Sequence, residues 1–139
     1  MKGSAFSLSD LGVAVLDCEH KTPPARADGY PYVAIPNIVG GRLDLSDVRR
    51  ISGADLAEWT RRTTPRGGDI IVTRRGRVGD TARIPEGMKC AIGQNLVLLR
   101  SDERQVDQEF LFWVTRGPQW HAEVNRLRNV GAVSYTHLR

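Results

Sequence analysis

The run Ile70-Ile71-Val72 constrains this chain more than any other feature. It is apolar at every position, and it is fenced by Gly67-Gly68 before it and by Arg74-Arg75-Gly76-Arg77-Val78-Gly79 after it. A short continuous apolar run between turn signals reads as a strand buried in a core. Asp69 to Thr73 is therefore a strand, the Arg/Gly segment is a turn, and Thr81 to Ile84 is the returning strand. Leu96 to Leu99 is a further strand of the same apolar kind.

The rest of the chain supplies elements around this hairpin. Positions 20–31 carry three of the seven prolines and read as a loop. Tyr32 to Ile38 is rich in β-branched and aromatic residues and reads as a strand, with Pro36 marking an edge or a bulge. Gly40-Gly41 is a turn and Val48 to Ile51 a short strand. Ser52 can cap a helix, Asp55 suits its first turn, and Leu56 and Trp59 fall on one face; Thr63 to Gly68 ends it. Pro85-Glu86-Gly87 is another turn. Asp107 caps a second helix with Phe110, Leu111 and Val114 as its apolar face. Gly117-Pro118 breaks that helix, and Pro118 opens a third reaching about Arg128. Strands first, one inserted helix and helices at the end define an α+β domain with a mixed, twisted sheet, and 139 residues suit one such domain.

Charge is distributed unevenly. The net charge is +4, and only Lys2, Lys21 and Lys89 among the 20 basic residues are lysines. Positions 49–83 hold nine arginines against four carboxylates, an excess of five positive charges, so the remainder is close to neutral. Arginine makes forked contacts to phosphate and guanine that lysine cannot, so this stretch suits a polyanion partner. A GC-rich gene that writes arginine wherever charge is tolerated gives the same composition. No apolar run approaches the ~18–20 residues that span a bilayer, and Met1 to Phe6 lacks a signal-peptide core. The expected compartment is the cytoplasm, with Cys18 and Cys90 as thiols.

Few residues suggest catalysis. Asp10, Glu19 and Lys21 could hold a metal and polarise water, as in a small metal-dependent endonuclease. Common residue types at this loose spacing also recur by chance. Cys18 and His20 make half a zinc site, with Cys90 and His121 at no paired spacing, so no metal is expected. No nucleophile elbow, nucleotide P-loop or Asn/Asp-Pro-Pro-aromatic methyltransferase motif occurs, and no cofactor is expected. The turn at 74–79 is either a phosphate-contacting hairpin or a solvated one whose glycines supply positive φ. Gln94 and Asn95 either read adenine or hydrogen-bond backbone and fix a turn. Tyr30, Tyr32, Trp59, Phe112, Trp113 and Trp120 sit at spacings that suit a core rather than a platform for stacked bases.

Four stretches occur in order: Leu8-Ser9-Asp10-Leu11-Gly12, Pro31-Tyr32-Val33-Ala34-Ile35-Pro36-Asn37-Ile38, Gly68-Asp69-Ile70-Ile71-Val72-Thr73-Arg74-Arg75-Gly76 with Val78-Gly79, and Gly93-Gln94-Asn95. Together they resemble a target recognition domain of the specificity (S) subunit of type I restriction-modification systems, from about Ser7 to Val133. The resemblance implies a non-catalytic module that binds a specific double-stranded DNA sequence and directs methylation (M) subunits and, through them, restriction (R) subunits. Its shared motifs form the fold, while base-reading residues vary, so only the turn after the Asp69 strand carries over as DNA-facing. The residues expected on DNA are Arg66, Arg74, Arg75 and Arg77 on phosphate or guanine, Arg61, Arg62 and Lys89 on phosphate, and Gln94. The resemblance also implies a truncated S subunit, because the spacer helix and second recognition domain do not follow Val133. Ser134 to Arg139 resemble a translated sequencing adapter and are expected to be non-native, leaving 1–133 as the domain.

Overall fold

The computed structural model describes residues 8, 12–19 and 21–128. Asp10, His20 and the expected non-native tail lie outside the described residues. The strands are β1 (Val13–Leu16), β2 (Tyr30–Val33), β3 (Ile38–Val39), β4 (Arg42–Leu43), β5 (Arg49–Ile51), β6 (Ile70–Thr73), β7 (Thr81–Arg83), β8 (Ala91–Ile92) and β9 (Leu96–Ser101). Helix α1 (Gly53–Trp59) is inserted between β5 and β6, and α2 (Gln108–Thr115) and α3 (Pro118–Arg128) close the described chain.

The central sheet has the order β1-β9-β6-β7, antiparallel at every step. A second sheet, β5-β2-β8, pairs β2 with β5 antiparallel and with β8 parallel. The β3–β4 hairpin forms a third, with Ile38 opposite Leu43. The sheets and helices stack in layers, and the alternation of side chains along each strand decides which layer each residue enters. Ile70 and Val72 of β6 and Val97 and Leu99 of β9 join Leu111, Phe112, Trp120 and Val124 under α2 and α3. Ile71, Leu96 and Leu98 point the other way and pack on Val33, Ile38 and Ile92 of the smaller sheets. Tyr32, Ile51 and Ala91 on the far side of the second sheet meet Trp59, with Leu56 beside them. The central strands are thus covered on both faces, which is why their sequence is uniformly apolar.

Local signals largely hold. Ser52 accepts the Asp55 amide at 3.0 Å and starts α1, and Asp107 accepts the Phe110 amide at 3.3 Å and starts α2. Helix α1 ends at Trp59, with Thr60 as its C-cap, ahead of the expected Thr63. Three expectations are corrected. The strand expected over Tyr32 to Ile38 stops at Val33; Ala34 leads into one 3-10 turn, Ile35–Asn37, and Pro36 sits inside that turn. Its missing N–H costs nothing where the turn has no partner for it. The buried face of α2 is Leu111, Phe112 and Thr115, not Phe110, Leu111 and Val114: Phe110 is 63% exposed and Val114 42%. Asp107 fixes where α2 begins, and that start turns Leu111, Phe112 and Thr115 inward and leaves Phe110 and Val114 outward. For the same reason Trp113 is 57% exposed, and Tyr30, at the start of β2, lies at the surface rather than in the core.

Cys18 and Cys90 are free, buried thiols. Burial and the neighbouring Asp17 carboxylate push the Cys18 thiol up to about 11. Burial, with Asp69 nearby, pushes Cys90 up to about 12. Among the described residues no helix is long and apolar enough to cross a membrane.

Candidate nucleic-acid interface

The turn between β6 and β7 is built from within. Gly76 (φ 66°) and Gly79 (φ 90°) adopt backbone conformations closed to other L-residues without strain. The Thr73 hydroxyl donates to the Arg77 carbonyl and accepts the Asp80 amide, closing the base of the turn. Helix α3 buttresses it: the Trp120 indole N–H donates to the Gly79 carbonyl at 3.1 Å, and a Cβ at Gly79 would stand 3.0 Å from Val124.

The guanidinium groups around this turn have different fates. Arg77 crosses to the Ile35–Asn37 turn and donates to the carbonyls of Ile38 (2.7 Å) and Ile35 (3.3 Å), with Asp80 3.4 Å from its Nε. Arg74 donates to the Gln94 carbonyl at 3.2 Å and lies 3.9 Å from Asp17, and its own amide donates to the Asn95 carbonyl at 2.9 Å. Arg75 is exposed and has no side-chain partner among the described residues. Arg62 donates to the Cys18 carbonyl at 3.1 Å, next to Asp17, and Arg61 is exposed. Asp69 is not available to the turn. Its carboxylate is buried and accepts a bidentate contact from Arg100 (2.8 and 2.6 Å) and the Arg66 amide (2.8 Å), and this pairing holds the Arg100 guanidinium above its ordinary pKa.

Strand direction sorts the expected DNA-facing residues into two groups. Ile70 pairs with Arg83 and Leu99, and Thr73 with Leu96, so the turn, the 93–95 loop and the end of β1 share one end of the central sheet. Arg74, Arg75, Arg77 and Gln94 gather there, with Arg62 near Asp17. Arg66 sits at the opposite end of β6, in an open groove of about 910 Å³ with Arg42, Arg83 and Glu86. Lys89 precedes β8 and is exposed. The Gln94 and Asn95 backbone carbonyls anchor Arg74, while the Gln94 side chain is exposed.

The structure adds residues that the motifs do not show. A cleft of about 450 Å³ runs beside Gln94 and Asn95, with Ile35, Pro36, Asp47 and Arg49 on its other side. Asn37 fixes that wall by accepting the Ala34 amide at 2.9 Å and donating to the Asp44 carbonyl at 3.1 Å. Asp47 and Arg49 belong to no motif and reach the cleft only through tertiary packing. For the endonuclease alternative, the Lys21 ammonium is paired with Glu58 at 2.8 Å and lies 4.9 Å from the Trp59 ring centre, and Asp10 is outside the described residues. No group of three or more metal-ligating side chains occurs among the described residues.

The fold is similar to that of two solved chains, one from a type I R-M system and one an HsdS subunit. A chain solved in work on complex assembly and conformational transition of the type I R-M system resembles it over 99% of its length, with a TM-score of 0.58 and 18% identity; the match covers 34% of that chain. The HsdS subunit from Thermoanaerobacter tengcongensis matches 76% of it with a TM-score of 0.51 and 18% identity, over 26% of the HsdS chain. The chain therefore spans about a third or less of the solved chains that it resembles. No protein-family model matches it, and neither does any curated protein.

Proposed function

We propose that this chain is a DNA target recognition module of the type I specificity-subunit kind, which binds a specific duplex sequence and has no catalysis of its own. The observation that carries the reading is the match of nearly the whole chain to a type I R-M chain. The arginine-rich end of the central sheet supports it, because exposed guanidinium groups on a braced turn suit a phosphate backbone. In this reading Arg75 is the principal phosphate or guanine contact of the turn, Arg61 and Arg62 flank it, and Gln94 faces a base edge. Arg74 and Arg77 contribute with the donors left after their carbonyl contacts. Arg66 and Lys89 contact phosphate away from the turn. M subunits, and R subunits through them, are the protein partners, and the compartment is the cytoplasm. The domain is 1–133, with Ser134 to Arg139 a non-native tail.

The test is titration of the chain with duplex DNA at several salt concentrations, followed by incubation with Mg²⁺ or S-adenosylmethionine. Binding that weakens linearly in log salt, without cleavage or methylation, supports the reading. Salt-insensitive or absent binding contradicts it. So does turnover that survives repurification and disappears in Lys21→Ala.

A further inference from the structure

We propose that the cleft of about 450 Å³ beside the turn is a slot for the major-groove edge of a base pair, in which Asp47 accepts from an exocyclic amino group and Gln94 contacts the same edge. The inference rests on the DNA-binding role and adds to it the groups that discriminate sequence.

Both walls of the slot are held from behind. Arg77 ties down the carbonyls of Ile35 and Ile38, Asn37 clamps Ala34 and Asp44, and Arg74 holds the Gln94 carbonyl. Arg74 and Arg77 are in this respect positioning residues: their guanidinium groups act on protein carbonyls that shape the slot. A site whose walls are fixed before binding discriminates better than one that must be ordered by the ligand. Arg49 is also tied, donating to the Pro23 carbonyl at 3.1 Å. Asp47 and the Gln94 amide remain, exposed and without a side-chain partner among the described residues.

A carboxylate beside a polyanion-binding face is repelled by phosphate. What a duplex does offer it is the amino group of cytosine or adenine in the major groove, to which Asp and Glu are matched as acceptors. Glutamine at the same edge pairs with adenine through its carbonyl and amide. Asp47, an acceptor only, therefore selects an amino-bearing base over guanine and thymine, which present acceptors there, and Gln94 completes the contact where that base is adenine.

The experiment is selection from a randomised duplex library by the full chain, by Asp47→Ala, by Gln94→Ala and by Asp28→Ala, which removes an exposed carboxylate outside the slot. The parent and Asp28→Ala are expected to enrich the same motif. Asp47→Ala should lose about tenfold of its preference at a cytosine or adenine position, while keeping or raising its affinity for random duplex. Gln94→Ala should relax the same base pair or its neighbour. A parent that enriches a motif which Asp47→Ala and Gln94→Ala both retain overturns the slot and leaves the DNA-binding role standing. A parent that enriches no sequence overturns both. Near-ultraviolet circular dichroism checks that each variant keeps the parent's packing.

Discussion

Arg74, Arg75 and Arg77 are identical in chemistry and differ in what the fold leaves them free to do. Arg75 has no side-chain partner among the described residues, so Arg75→Ala should leave the melting temperature unchanged and reduce the salt slope of DNA binding by about one unit. Arg77 spans the gap to the Ile35–Asn37 turn, so Arg77→Ala should lower stability by about 1 kcal/mol, in keeping with the loss of partly exposed charge-assisted hydrogen bonds. Chemical denaturation and salt titration of the two variants separate these roles. The cysteines give a prediction in pH. Unfolded thiols ionise near 9.0, whereas Cys18 and Cys90 hold their protons to about 11 and about 12. Folded pKa values raised in this way favour the native state fully below pH 9 and lose that contribution as pH rises toward the folded values. Denaturant midpoints should therefore fall above pH 9 in the parent and fall less steeply in Cys90→Ala.

At the scale of elements, the turn and α3 form one unit. Gly79 has φ 90° and Val124 3.0 Å from where a Cβ would stand, so Gly79→Ala should cost roughly 1–3 kcal/mol and displace the turn from α3. Thermal unfolding measures the cost. The displacement appears as a change in the environment of Trp120, read by its fluorescence. Helix α2 offers a matched pair: Phe112→Ala should cost about 3–5 kcal/mol, and Trp113→Ala, mostly exposed, about 0.5 kcal/mol or less.

The elements legible in the sequence are those whose signals are local. Ser52, Asp107, Pro118 and the glycine pairs mark ends that chemistry fixes within a few residues, and the apolar runs of β6 and β9 declare burial on both faces. The elements that escaped depend on distant partners. Strand β1 exists because Val13 to Leu16 pair with β9, and β8 is two residues held by β2. The β3–β4 hairpin showed only its Gly40-Gly41 turn. Phe110 reads as a core residue because an apolar residue one turn from Val114 satisfies the helical period whichever side the helix turns inward. The candidate site divides in the same way. Arginine density located the basic turn, but only the folded chain shows that Arg74 and Arg77 hold carbonyls, or that Asp47 shares a cleft with Gln94.

For the whole molecule, the layered order of α2 and α3, central sheet, second sheet and α1 puts the turn, the 93–95 loop and the slot at one end of the core. In the proposed role, sequence is read by groups held in place at that end before contact, while the arginines supply sequence-independent attraction. The most direct test of this account is an equilibrium competition at one fixed salt concentration. A duplex taken from the chain's own selected pool competes with a shuffled duplex of the same length and composition. The account predicts that the selected duplex binds at least about tenfold more tightly. Equal affinity for the two duplexes would contradict it, leaving the arginines as a charged surface without a reading function.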